Sequence, residues 1–207
     1  MRIEDYVDYL QKMIEKHIDM LHGITIPIKI KFLKKNLYSF SHFPIVLHAS
    51  MASVSASVSA GHKAILNRVI FDVLSMYQMY NRYYVTNQNI SRLQKWCFKL
   101  FGMEHYIKRR IEIAVVHEFR HVQQFKFIND NNLDWMYYSN FNRYTGYKNN
   151  FMEKDAHLAS NLIIEGKQEL VPDLKDVFAP YWYPRNRKKS SRMIRFDALC
   201  NIIKLRL

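Results

Sequence analysis

Between residues 4 and 22, apolar side chains recur mostly every three or four positions, at Tyr6, Val7, Leu10, Met13, Ile14, Ile18 and Leu21. That spacing predicts an amphipathic helix, which Gly23 stops. The period then changes to two. Ile24-Thr-Ile-Pro-Ile-Lys-Ile-Lys-Phe reads as a half-buried strand, and Pro27 places it near an edge or at a strand start. Residues 52–60 alternate strictly, with Ala52, Val54, Ala56, Val58 and Ala60 on one side and Ser53, Ser55, Ser57 and Ser59 on the other. This period favours a strand over a flexible Ser/Ala loop. Ala64 to Val73, rich in Ile and Val, predicts a further strand.

From about Leu74 the pattern turns helical. Asn89 or Ser91 is placed to cap a helix running through Phe101 and ended by Gly102. Tyr106 to about Ile128 is the longest helical pattern in the chain. Residues 129–150 read as a polar and aromatic loop, and Phe151–Glu165 as a helix closed by Gly166. Pro172, Pro180 and Pro184 mark an irregular stretch, and 191–206 reads as a basic amphipathic terminal helix. The order predicts an α+β fold: an N-terminal helix, a small mixed sheet of about three strands, then a buried helix and further helices. The expected organisation is a domain over 1–171, a Pro-containing stretch over 172–190, and a basic helix over 191–207 packed on the same domain.

Composition narrows the classes. The chain has 207 residues, 49% hydrophobic and 24% charged, which excludes wholesale disorder and supplies enough apolar surface for a core without metal or disulfide staples. Two cysteines, Cys97 and Cys200, exclude a disulfide framework or a four-cysteine zinc ribbon. The acidic N-terminus is unlike a secretory signal, and no stretch approaches a membrane span. A cytoplasmic protein with no membrane partner is expected. The 31 basic residues against 18 acidic ones leave a net charge of +13. From Met20 to Met103, Asp72 is the only acid, and a second basic cluster runs from Arg185 to Arg195. Such a balance fits an acidic partner or nucleic acid, or simply a solvated basic face.

The chemistry concentrates in His117-Glu118-Phe119-Arg120-His121, an H-E-x-x-H pattern within the longest helix. Two histidines four apart lie about 40° apart around a helix, so both rings point to one side and can share one zinc ion. Glu118 lies about 100° further round, near enough to take a proton from a metal-bound water without being a ligand. Ala114, Val115, Val116, Phe119, Val122, Phe125 and Phe127 surround the motif, so the helix is expected to be largely buried. Buried imidazoles and carboxylates need satisfaction, and one Zn2+ provides it. Hydrolytic zinc sites take a third protein ligand and keep a fourth position open. Glu153, in the first turn of the next helix with Ala156 and Ala159 behind it, is the choice for that ligand. His157, one turn on, is the alternative ligand or a supporting partner. Asp155 supports a ligand histidine or pairs with Arg120. Tyr137, Tyr138, Tyr144 and Tyr147 are candidate donors to a developing oxyanion, Tyr147 being preferred as nearest in sequence to the ligand.

His117-Glu-Phe-Arg-His121 followed by Glu153-x-x-Ala156-x-x-Ala159 resembles the short gluzincin-type zinc metallopeptidases, in particular the phage-repressor-cleaving metallopeptidases and related bacteriophage proteins. The resemblance covers roughly residues 24–165. It implies a zincin-like fold, zinc ligation by His117, His121 and Glu153, Glu118 as general base, a protein or peptide substrate, and, for a phage-encoded chain, a host-cytoplasmic location. Arg120 departs from the uncharged residue of stringent motifs. His157 stands where larger gluzincins place an Asp, and residues 74–105 form an insertion. The expected function is therefore that of a zinc-dependent peptidase. Its alternatives are a basic nucleic-acid-binding module or a phage assembly protein whose metal site is structural or vestigial.

Overall fold

The three periodic segments and the helical patterns that follow them become an α+β arrangement in the computed structural model, which describes residues 3–31, 52–59, 63–73, 76, 92–145 and 149–185. Helix α1 spans Ile3–His17 and tightens into a 3-10 turn over Ile18–Leu21. Gly23 follows at φ 71°, a left-handed conformation that favours glycine. Strands β1 (Ile28–Lys31), β2 (Ala52–Val58) and β3 (Ala64–Asp72) form one sheet in the order β1-β3-β2. Strand β1 runs parallel to β3, with Ile28 opposite Val69 and Lys31 opposite Asp72. Strands β2 and β3 are joined across residues 59–63, where the Ser59 amide donates to the Lys63 carbonyl at 3.0 Å. A connection that short joins antiparallel strands, so the sheet is mixed. Pro27 lies immediately before β1, where a missing amide leaves the ladder intact, and its carbonyl accepts from Val69.

Helix α2 runs without interruption over Arg92–Asp130, α3 over Trp135–Thr145, α4 over Phe151–Ile164 and α5 over Leu174–Phe178. Three expectations are corrected. Gly102 does not end a helix: α2 continues through it, because an interior glycine costs only about 1 kcal/mol, which a helix of this length absorbs. Residues 129–150 are not all loop. Asp134 accepts hydrogen bonds from the Met136 and Tyr137 amides at 2.8 and 3.2 Å, capping α3. Its buried Tyr137, Tyr138 and Phe141 recur at helical spacing. The stretch after Pro172 is likewise partly helical, with Asp173 capping α5 through the Lys175 amide. The cap at Asn89 or Ser91 and the basic 191–206 segment lie outside the described residues, as do 74–75 and 77–91 of the 74–105 insertion, whose residues 92–105 belong to α2 itself.

The chain divides into two compact units, Met1–Ser55 with Arg68–Glu118, and Ala56–Asn67 with Phe119–Leu207. The division falls inside continuous elements, namely β2, β3 and α2. In the first unit Tyr6, Leu10 and Met13 of α1, Val69 and Phe71 of β3, and Ile107, Ile111 and Val115 of α2 are buried. Glu112 accepts from Lys16 at 2.6 Å and lies 2.9 Å from His17 Nε2, so α1 and α2 are tied through this carboxylate.

The second unit is built on aromatic rings. Phe151 stacks on Tyr181 with centroids 4.0 Å apart, and Tyr137 stacks on Tyr183 at 4.3 Å. Tyr138 donates to the Tyr181 carbonyl and accepts from the Tyr183 amide, so its hydroxyl is satisfied within this core. Burial pushes that phenol's pKa well above its ordinary value. The Asn129 side chain accepts from the Ala64 amide and donates to the Ala64 carbonyl, giving the first residue of β3 the partners a neighbouring strand would supply. Among the described residues, no helix is long and apolar enough to cross a membrane.

Candidate metal centre

The buried middle of helix α2 presents the site. Val115, Val116, Phe119 and Val122 are wholly buried, which fixes the rotation of the helix about its axis. His117 and Glu118 are buried between them, and His121 follows one turn after His117 on the same uninterrupted helix. Helix α4 supplies the carboxylate. Its start is set by Asn150, whose side chain accepts from the Met152 amide at 3.0 Å, and by the buried Phe151 and Met152. Asp155, Ala156, Ala159 and Ser160 continue its buried face at helical spacing, and Glu153 stands in the first turn.

Glu153 Oε2 lies 3.4 Å from His121 Nε2, with both side chains largely buried. One ligand atom from each of His117, His121 and Glu153 falls within 4.8 Å of the other two. The donor set fits zinc: two imidazole nitrogens and one carboxylate oxygen are the His₂Glu set of catalytic zinc sites. The His121–Glu153 separation of 3.4 Å agrees as well, since two ligands at about 2.05 Å from one tetrahedral ion stand about 3.3–3.4 Å apart. For the third ligand, Glu153 and not its alternatives on the same helix is the residue brought to the histidines. Asp155 is engaged elsewhere, and His157 has an exposed side chain.

Asp155 pairs with Arg120, as one of the two expected roles required. Arg120 Nε donates to Asp155 Oδ2 at 2.8 Å and Nη2 donates to Oδ1 at 3.0 Å, a two-pronged pair between buried side chains. Arg120 also donates to the Pro172 carbonyl at 2.7 Å and to Gln123 Oε1 at 3.3 Å. The charge inside the motif is thus neutralised by Asp155 on α4.

Gln124 is the residue that sequence reasoning missed. It is completely buried and joins both groups: its Nε2 donates to Asp155 Oδ2 at 2.7 Å and to the Met152 carbonyl at 2.9 Å, while its Oε1 lies 2.7 Å from His121 Nδ1. The available signal was a neutral amide three residues after the second histidine, between Val122 and Phe125 on a helix already expected to be buried. Of the candidate oxyanion donors, Tyr137 and Tyr138 are core residues and Tyr144 packs against that core. Tyr147 lies outside the described residues. In the sheet, β2 is an edge strand and β3 lies between its two partners. No protein-family model, curated protein or solved structure matches this chain.

Proposed function

We propose that this chain is a zinc-dependent peptidase of zincin-like fold, with His117, His121 and Glu153 as ligands and Glu118 as general base. The observation that carries the reading is the convergence within 4.8 Å of three ligand atoms of the right chemistry, two from α2, where Glu118 follows His117, and one from α4. When bound there, zinc supplies Lewis acidity, polarising a peptide carbonyl and lowering the pKa of a water. The side chains do the rest. Neutral imidazoles donate their lone pairs, and the Glu153 carboxylate offsets one positive charge. The Glu118 carboxylate accepts a proton from the attacking water and returns it to the leaving amine. Its burial favours proton transfer by excluding competing solvent.

Substituting Glu118→Gln tests this assignment. Zinc content is expected to stay at the parent level while hydrolysis of a peptide library falls by about 100-fold or more, the usual contribution of a general base. Undiminished hydrolysis in the variant would remove Glu118 from the mechanism. The net charge of +13 favours a second reading, a basic nucleic-acid-binding module carrying the same metal site in a structural role. Steeply salt-dependent binding to duplex or single strands, without peptide hydrolysis by the zinc-loaded chain, would decide for it.

A further inference from the structure

We propose that Gln124 is a positioning residue that fixes the tautomer of His121, and that Arg120 and Asp155 hold Gln124 in the orientation this requires. The inference deepens the zinc-site reading but rests on hydrogen-bond logic that can be tested without metal. An amide side chain has one donor end and one acceptor end. The groups facing Gln124 Nε2 are the Met152 carbonyl and the Asp155 carboxylate, at 2.9 and 2.7 Å. Both are acceptors, so the nitrogen must face them. Rotating the amide by half a turn would set an oxygen against two oxygens in a site that water does not reach.

The consequence passes to the histidine. With the nitrogen committed, the oxygen faces His121 Nδ1 at 2.7 Å and can only accept. His121 must therefore carry a proton on Nδ1, so in the neutral ring the lone pair is on Nε2, the atom that lies 3.4 Å from Glu153 Oε2. The arrangement is anchored at its far end. The Arg120 guanidinium holds both oxygens of Asp155 and also donates to the Pro172 carbonyl, so the carboxylate cannot turn away from Gln124 without breaking a buried ion pair. A charged residue inside the motif thus acts through three successive contacts on the donor atom of a ligand. Gln124 lies three residues after His121 on α2, where side chains are neighbours, while Met152 and Asp155 come from α4. The tautomer is set only when the two helices are in register.

The test uses the full chain labelled with ¹⁵N at histidine. Long-range ¹H–¹⁵N spectra of protein stripped by a chelator, at about pH 8 where a free imidazole is neutral, report the tautomer directly. The parent is expected to show His121 protonated at Nδ1, and Gln124→Met is expected to lose that preference. Zinc affinity, measured by competition with a chromophoric chelator, is expected to fall about 10–100-fold in Gln124→Met, the usual effect of removing the partner of a ligand histidine. Asp155→Asn is expected to weaken zinc binding in the same direction, and it provides the second variant should Gln124→Met fold poorly. A mixed or Nε2-protonated His121 in the parent overturns the proposal whatever zinc does. A parent with the Nδ1 tautomer that binds no zinc upholds the tautomer assignment and removes the metal-site reading instead. Zinc affinity unchanged in Gln124→Met, in a parent that does bind zinc, overturns the positioning role.

Discussion

Tyr138 keeps a hydroxyl inside an aromatic core by serving two backbone groups at once, the Tyr181 carbonyl and the Tyr183 amide. Removing that oxygen leaves both groups without their side-chain partner. Tyr138→Phe is therefore expected to lower unfolding stability by about 1–3 kcal/mol in urea titrations, and an unchanged midpoint would show that the two contacts contribute nothing. The same accounting separates what a sequence reveals of the site from what it hides. His117, Glu118 and His121 were legible because four residues of helix bring two rings to one side whatever the helix packs against. Glu153 was legible in a weaker sense, from its place in a first turn with small residues behind it. Gln124 was not. Its role depends on Met152 and Asp155, about thirty residues away, and no local period records a partner at that distance. Asp155 lay between, since an acid in a first turn is ordinary and only the contact with Arg120 distinguishes it.

Among the elements, α1 and β2 were readable from an unbroken period, β3 from its Ile and Val content, and α4 from the glycine that closes it, whereas the strand expected from Ile24 begins only at Ile28, after Pro27. At two places local punctuation does not decide where an element ends. Gly102 has neither the positive φ of Gly166 nor a following break, so it does not stop its helix. The Asn-rich run at 129–132 closes α2 and is followed by a new helix, not by a long loop. Asn132 adopts φ 54° and Leu133 donates back to the Ile128 carbonyl, a compact helix end that Lys167 and Gly166 repeat after α4. Helix α3 then begins at Asp134. Asp134→Ala is expected to destabilise the protein by about 0.5–2 kcal/mol, with the earliest loss of amide-exchange protection in residues 135–145. Equal protection in parent and variant would mean that α3 is held by its aromatic face alone.

For the whole molecule, charge and metal are the two properties that solution measurements read most directly. Glu112 is partly buried, which raises its pKa, but the bonds from Lys16 and His17 overcome burial and hold it below the usual carboxylate value. A depressed carboxylate contributes stability above its unfolded-state pKa and loses it as pH falls through its folded-state value. Stability is therefore expected to decline on the acid side of the ordinary carboxylate range, and Glu112→Gln to be less stable near neutrality with a shallower acid decline. Parallel pH profiles for the two proteins would contradict that linkage. The central claim, that His117, His121 and Glu153 grip one divalent ion, is tested most directly by metal analysis of the full chain purified without added zinc, alongside His121→Ala and Glu153→Ala. The account predicts about one equivalent of zinc in the parent and a large loss in both variants. Zinc that is absent from the parent, or that persists undiminished in both variants, would contradict it.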